Sequence, residues 1–89
     1  MEIGKAILKI RNIRNMTQKQ LAELVNCDES TISNIETNNR QPSLSLLKEI
    51  ARALQCPLAI IAFLSEHEVK ELNEEQIDAL QDTIYKLLY

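Results

Sequence analysis

Apolar residues recur at intervals of three and four positions along most of the chain, which is the spacing of side chains on one face of an α-helix. The first such stripe runs from Ile3 to Ile13 and predicts a helix over residues 2–14. Comparable stripes follow through the rest of the sequence, and none shows the strict apolar–polar alternation that is typical of a strand. The pattern therefore predicts an all-α protein.

Polar residues between the stripes mark where helices begin and end. Thr17 followed by Gln20 is a capping-box pattern, which predicts the start of a second helix. Asn26 tolerates the left-handed conformation that ends such a helix, and Asp28 is a suitable cap for a third. Asn38–Asn39 predicts the next left-handed stop. The second and third helices are thus expected to be short and close together.

Three more helices are predicted in the second half of the chain. Pro42–Ser43 precedes an apolar stripe and begins the fourth helix. Pro57 suits the first turn of a fifth helix. Asn73 with Gln76 repeats the capping-box pattern and predicts a sixth helix over residues 73–89.

The composition fits one globular domain with an aliphatic core, because 45% of the 89 residues are hydrophobic and only 3% are aromatic. The net charge of −3 is unevenly spread, with six basic and five acidic residues in 1–43 but four basic and eight acidic residues in 44–89. Such asymmetry indicates two surfaces with different partners. The longest apolar run, Leu58–Leu64, is too short to span a bilayer. Without a visible secretory signal, we expect a cytoplasmic protein with no membrane partner.

Residues that could carry enzymatic chemistry are sparse. His67 is the only histidine and lies in an acidic stretch, and Gly4 is the only glycine, so neither a catalytic triad nor a glycine-rich phosphate loop is supported. Cys27 and Cys56 lack the spacing of metal ligands and are expected to be reduced, buried thiols. We therefore expect no enzyme activity, no metal and no cofactor.

The most informative stretch runs from Gln18 to Ile35. Two helices of about eight residues flank a short break, and the small residue Ala22 falls where two such helices must cross closely. The outward positions of the second helix of this pair carry short polar side chains, which can reach base edges in the major groove of DNA. These positions are Glu29, Ser30, Thr31, Ser33 and Asn34. The pattern alone fits either a DNA-reading helix or a helical hairpin with a solvated face.

The segment MTQKQLAELVNCDESTISNIETNNRQPSLSLLKEIARAL resembles the helix-turn-helix of Cro and C1-type phage repressors and their bacterial relatives. The combination of TQxxLA, STISxIE and RxPSLxxLxxIAxAL carries the resemblance, which extends over residues 3–64. It implies a lambda-repressor-like bundle of five helices over residues 1–65, sequence-specific binding of double-stranded DNA, and repression of transcription. Members of the family usually have glycine where this chain has Asn26, and often where it has Asn38. Asparagine is the next best residue for a left-handed conformation.

The resemblance also implies a role for individual residues. Gln18 opens the first helix of the pair, contacts a phosphate and braces the side chains that read bases. Glu29 either accepts a hydrogen bond from cytosine or only supports the start of its helix. Arg11 and Glu36 occupy positions that form an internal ion pair in relatives. The resemblance implies that Glu29, Ser30 and Asn34 face base edges. Thr31 and Ser33 are implied to lie near the DNA backbone, and the loop with Asn38 and Arg40 to meet phosphates. The implied DNA-binding residues are Thr17, Gln18, Lys19, Glu29, Ser30, Thr31, Ser33, Asn34, Asn38 and Arg40.

Residues 66–89 are expected to form an acidic linker and a C-terminal amphipathic helix. The predicted fifth helix is apolar nearly all round, and a single helix as short as the sixth is not stable alone in water. The sixth helix therefore either folds back over the fifth helix of its own chain or packs on a second chain. We favour a homodimer on a palindromic operator, because helix-turn-helix proteins of this kind use two half-sites. The expected dimerisation residues are Ile60, Phe63, Ile77, Leu80, Ile84 and Leu87.

The sequence is also compatible with two other functions. An antitoxin binds a toxin through one region and its own promoter through another. An adaptor would use the helix-turn-helix only to bind a partner protein. Competition between a selected DNA sequence and bulk DNA tests the adaptor. A small basic protein encoded by the adjacent gene would favour the antitoxin, and the sequence fits a restriction-modification controller as well.

Overall fold

The computed structural model describes residues 2–66 together with residues 75, 78, 79 and 82. Within this part the chain contains five α-helices and no strand, which confirms the predicted all-helical fold. The helices are α1 (Ile3–Ile13), α2 (Gln18–Leu24), α3 (Glu29–Glu36), α4 (Leu44–Ala53) and α5 (Leu58–Glu66). The predicted sixth helix, apart from four of its residues, lies outside the described residues. None of the described helices is long and apolar enough to span a bilayer.

The helix starts follow the local pattern of the sequence. The Oγ1 atom of Thr17 accepts a hydrogen bond from the backbone N–H of Gln20, and the Gln20 side chain accepts one from the backbone N–H of Thr17. The predicted capping box is therefore present. Ser43 caps α4 by accepting a hydrogen bond from the backbone N–H of Leu46 at 3.1 Å. Asp28 occupies the cap position of α3 as predicted, but its side chain makes no capping hydrogen bond.

Each of α1 to α4 is followed by a residue with a left-handed backbone. Asn26 (φ 55°) and Asn38 (φ 64°) take this conformation as predicted, whereas Asn39 does not share it. Asn15 (φ 55°) and Gln55 (φ 52°) were not expected to be left-handed. Asparagine tolerates this region because its short polar side chain bonds locally, whereas glutamine has no such advantage.

The core is aliphatic and is organised around α1, which packs against both α3 and α5. Ile60, expected from the sequence to lie in a dimer interface, is only 1% exposed within the single chain. It belongs to the core of its own chain, because one side of α5 packs against α1. The buried hydrophobic residues are Ala6, Ile7, Ile10, Leu21, Ala22, Val25, Ile32, Ile35, Leu47, Ile50, Ala51, Leu54, Cys56, Ile60, Ile61 and Leu64.

Gly4 lies in the first turn of α1, where this helix crosses the end of α3. A Cβ atom at this position would overlap the carbonyl oxygen of Ile35 and would lie 2.9 Å from its carbonyl carbon. Only a residue without a side chain allows the two backbones to approach this closely. Gly4 therefore sets the distance between α1 and α3.

Arg14, the residue after α1, binds the backbone at the carboxyl end of α4. Its Nε donates a hydrogen bond to the carbonyl oxygen of Leu54 at 3.0 Å, and its Nη2 donates to the carbonyl oxygen of Gln55 at 3.1 Å. The Leu54 carbonyl is one of those that a helix end leaves without an intrahelical partner, whereas Gln55 lies just beyond the helix. Nη2 also lies 3.6 Å from Oδ1 of Asp78. Asp78, in the C-terminal segment, therefore contacts Arg14 of its own chain.

Both cysteines are free thiols, but they differ in burial. Cys56 is buried as expected, and this burial raises the pKa of its thiol from 9.0 to about 11 even though Arg14 acts in the opposite direction. Cys27 is only half-buried, and its pKa is raised by burial and by the nearby carboxylate of Asp28. Since the thiolate is the reactive form, neither cysteine has the environment of a nucleophile.

Candidate nucleic-acid interface

The helices α2 and α3 form a helix-turn-helix with a fixed crossing. The turn is closed by a hydrogen bond from the backbone N–H of Cys27 to the carbonyl oxygen of Ala22 at 3.0 Å. Ala22 is 2% exposed, and its small side chain allows α2 and α3 to pack closely. Ile32 and Ile35 bury the inner face of α3 in the common core. The opposite face of α3 is consequently held at a defined angle on the surface.

That outer face of α3 carries the polar residues predicted to bind DNA. Glu29, Ser30 and Asn34 are exposed, whereas Thr31 and Ser33 are half-buried. Ser30 and Asn34 are four positions apart and therefore lie on the same side of the helix. Short polar side chains on one exposed helical face can form hydrogen bonds with base edges in a major groove.

The loop after α3 is tied to the last turn of that helix. The carbonyl oxygen of Asn34 accepts hydrogen bonds from the backbone N–H of Asn39 at 2.8 Å and from that of Arg40 at 3.1 Å. The side chain of Gln41 donates to Oδ1 of Asn38 at 3.1 Å. Asn38 and Arg40, both predicted to meet phosphates, are exposed on this loop. The loop and the polar face of α3 therefore form one connected surface.

The start of α2 lies at the edge of the same unit. Thr17 and Lys19 are exposed, and Gln18 is half-buried. The Nε2 atom of Gln18 donates a hydrogen bond to Oε1 of Glu36 at 2.9 Å. This side chain is thus bound to the end of α3, a contact that the sequence did not predict. The two residues are 18 positions apart, so no local sequence pattern signals it.

Arg11 and Glu36 form the ion pair that the resemblance implied. Nε of Arg11 lies 2.7 Å from Oε2 of Glu36, and Nη2 donates to Oε1 at 3.0 Å, which makes the pair bidentate. Nη1 of Arg11 also donates to the carbonyl oxygen of Met16 at 2.7 Å. Arg11 is 8% and Glu36 7% exposed. The pair lies inside the fold, where it joins α1 to the end of α3.

The charges around this surface have both signs. Lys19 and Arg40 are exposed at its edges, while Asp28 and Glu29 lie at the start of α3. Acidic groups at a helix N-terminus are stabilised by the helix dipole, but they repel phosphates. The basic residues at the edges are therefore the ones suited to meet a DNA backbone. In the described part of the chain, no group of three or more His, Cys, Asp or Glu side chains is arranged to hold a metal ion.

Comparison with known proteins identifies the class to which this architecture belongs. Residues 7–61 match the helix-turn-helix family. The chain belongs to this family, of the Cro/C1 type expected from its sequence. The matched segment contains the whole of α2, α3 and α4 and thus the entire candidate surface.

Two relatives of the chain are repressors by name. The chain is 36% identical over 73 residues to the competence pilus inhibition repressor of Acinetobacter baylyi, with 82% of the chain and 66% of that protein covered. It is 37% identical over 79 residues to the immunity repressor protein of Bacillus phage phi105, with 85% of the chain and 55% of that protein covered. The chain thus spans just under two thirds and just over half of the length of these two relatives.

Proposed function

We propose that the chain binds a specific sequence of double-stranded DNA and represses transcription. The observation that carries this proposal is the exposed polar face of α3, which is fixed to a loop bearing Arg40 by two hydrogen bonds to the Asn34 carbonyl oxygen. Such a surface places base-reading groups and phosphate-binding groups at a constant separation. Both relatives are repressors by name, which supports a regulatory function.

DNA binding should depend steeply on salt. A dimer that makes roughly 6–10 phosphate contacts is expected to lose about 10³–10⁵ in affinity between ~50 and ~200 mM salt. The measurement is a selection of bound sequences from random DNA, followed by a salt titration of the best sequence by fluorescence anisotropy. If no selected sequence outcompetes bulk DNA at modest salt, the proposal fails. In that case an adaptor that uses the helix-turn-helix only to bind a partner protein becomes the better explanation.

Individual substitutions should separate base contacts from phosphate contacts. Ser30→Ala and Asn34→Ala are expected to change which bases are preferred, by about 1–3 kcal/mol per lost contact. Arg40→Ala and Gln18→Ala are expected to weaken binding to all sequences more evenly, because phosphates carry no sequence information. Affinities for a set of single-base operator variants distinguish the two patterns. An even loss across the set for Asn34→Ala would show that Asn34 does not read a base.

We also propose that the repressor acts as a homodimer on a palindromic operator. On α5, the side facing away from the core carries Ala59, Ala62 and Phe63, all of them exposed. Phe63 is 44% exposed, which is unusual for a large aromatic side chain. Pairing this side with a second copy would remove apolar surface from water and place two α3 helices about 34 Å apart, one turn of DNA. The predicted contacts Ile77, Leu80, Ile84 and Leu87 lie outside the described residues.

Sedimentation should show a dimer for the full chain at tens of micromolar. Phe63→Lys is expected to shift the protein to monomer, because a charge in an apolar interface is left without a partner. Leu24→Lys is the matched control, since Leu24 is 62% exposed and lies on α2 rather than α5. A chain ending at Glu66 tests the contribution of the tail: a truncated dimer would assign the interface to α5 alone. A monomeric full chain would contradict the proposal.

A further inference from the structure

The Glu36 carboxylate is the point at which the internal scaffold meets the candidate DNA surface. Its Oε1 accepts hydrogen bonds from Arg11 Nη2 at 3.0 Å and from Gln18 Nε2 at 2.9 Å, while Oε2 accepts from Arg11 Nε at 2.7 Å. Arg11 also bonds to the carbonyl oxygen of Met16, in the turn that leads into α2. One buried side chain of α3 thereby connects α1, the following turn and the first residue of α2.

This arrangement fixes the orientation of the Gln18 side chain. A carboxamide donates through its nitrogen and accepts through its oxygen, whereas a carboxylate in an ion pair only accepts. Turning the Gln18 amide by half a rotation would place its Oε1 against Oε1 of Glu36. That change would replace a charge-assisted hydrogen bond by a contact between two acceptors beside a buried group. The Nε2 atom therefore stays directed toward Glu36, and Oε1 is directed away from it.

We propose that Glu36 is a positioning residue for DNA binding, which acts by holding Gln18 in this single orientation. The inference rests on the proposed DNA-binding function. Phosphate oxygens only accept hydrogen bonds, so the side chain of Gln18 can bind a phosphate solely through the second hydrogen of Nε2. Its Oε1 is left to accept from a side-chain donor on α3. The contribution of Gln18 to DNA affinity then depends on an acceptor at position 36 and not on a negative charge there.

Two paired backgrounds test this dependence. Arg11→Met/Glu36→Gln keeps an acceptor at position 36, whereas Arg11→Met/Glu36→Met removes it, and both avoid a stranded charge. Gln18→Ala is introduced into each background and into the unchanged chain, and the affinity for the selected operator is measured below the melting temperature of every variant. We expect Gln18→Ala to weaken binding about tenfold in the unchanged chain and in the Glu36→Gln background. In the Glu36→Met background it should have no further effect. Equal losses in both backgrounds would overturn the proposal.

Measurements without those double variants give an independent test. In the full-length chain, one side-chain amide hydrogen of Gln18 should exchange with water more slowly than those of Gln20, an exposed glutamine of the same helix. Gln18→Glu should lower DNA affinity and melting temperature together, because it brings two carboxylates into contact. Equal exchange for both glutamines, or unchanged affinity for Gln18→Glu, would contradict the proposal. If the full chain binds no DNA but the slow exchange is present, the proposed function and this role of Glu36 both fail, while the Gln18–Glu36 bond stands.

Discussion

Replacing Arg11 by methionine is expected to lower the free energy of unfolding by about 3–5 kcal/mol. The substitution removes both bonds to Glu36 and leaves a carboxylate that is 7% exposed without its cation. Most of the loss comes from the stranded charge and not from the intrinsic strength of the pair, because a buried ion pair gains little over apolar side chains of similar size. Thermal or denaturant unfolding of the full chain measures the change.

The double variant Arg11→Met/Glu36→Met should recover much of that stability. It removes the stranded charge and fills the space with apolar atoms, although Gln18 and the Met16 carbonyl oxygen lose a partner. Arg52→Met is the matched control, because Arg52 is an exposed arginine on α4. If Arg11→Met leaves the melting temperature unchanged but abolishes DNA binding, Arg11 contacts DNA instead of supporting the fold.

Gly4→Ala is expected to destabilise the fold by about 3 kcal/mol, which is the upper part of the range for overpacked sites. The direction of this change in stability is informative, because the same substitution in an exposed helix interior stabilises a helix by about 1 kcal/mol. Here the added Cβ would collide with the backbone of Ile35, which cannot move aside as the end of a flexible side chain can. Because Ile35 lies in α3, the strain would also tilt this helix and its proposed base-reading face, so DNA affinity should fall together with stability.

Lys5→Ala supplies the comparison for Gly4→Ala. Lys5 is the next residue of α1 and is exposed, so its replacement should change stability by no more than about 0.5 kcal/mol. Chemical denaturation of both variants under the same conditions compares them directly. A Gly4→Ala protein as stable as the Lys5→Ala protein would show that α1 and α3 can move apart at little cost.

Local features of the fold could be predicted from the sequence because they depend on neighbouring residues. The capping box of Thr17 and Gln20 and the left-handed stops at Asn26 and Asn38 each follow from residue types a few positions apart. The left-handed Gln55 could not be predicted in this way. Its conformation accompanies the bonds of Arg14 to the end of α4, which depend on tertiary structure.

Features that depend on how helices meet were harder to predict. An isolated glycine within a helical pattern signals close packing, so Gly4 could have been recognised as a contact point, but not its neighbour in α3. Because α5 is apolar on nearly every side, its sequence predicts a dimer interface for Ile60, which the fold buries in its own chain. A sequence pattern cannot divide such a helix between core and surface. Phe63 of the same helix is 44% exposed, and its place in a dimer interface stays a prediction.

The four left-handed residues that follow α1 to α4 place the backbone strain of the described fold in the turns between its helices. None of the four is glycine, the one residue that takes this conformation without a steric penalty. The penalty is greatest at Gln55, whose side chain lacks the local bonding of asparagine. Replacing the left-handed residues at the ends of α1, α2 and α4 by glycine is therefore expected to raise the melting temperature. Both the aliphatic interior and the polar face of α3 would be left as they are.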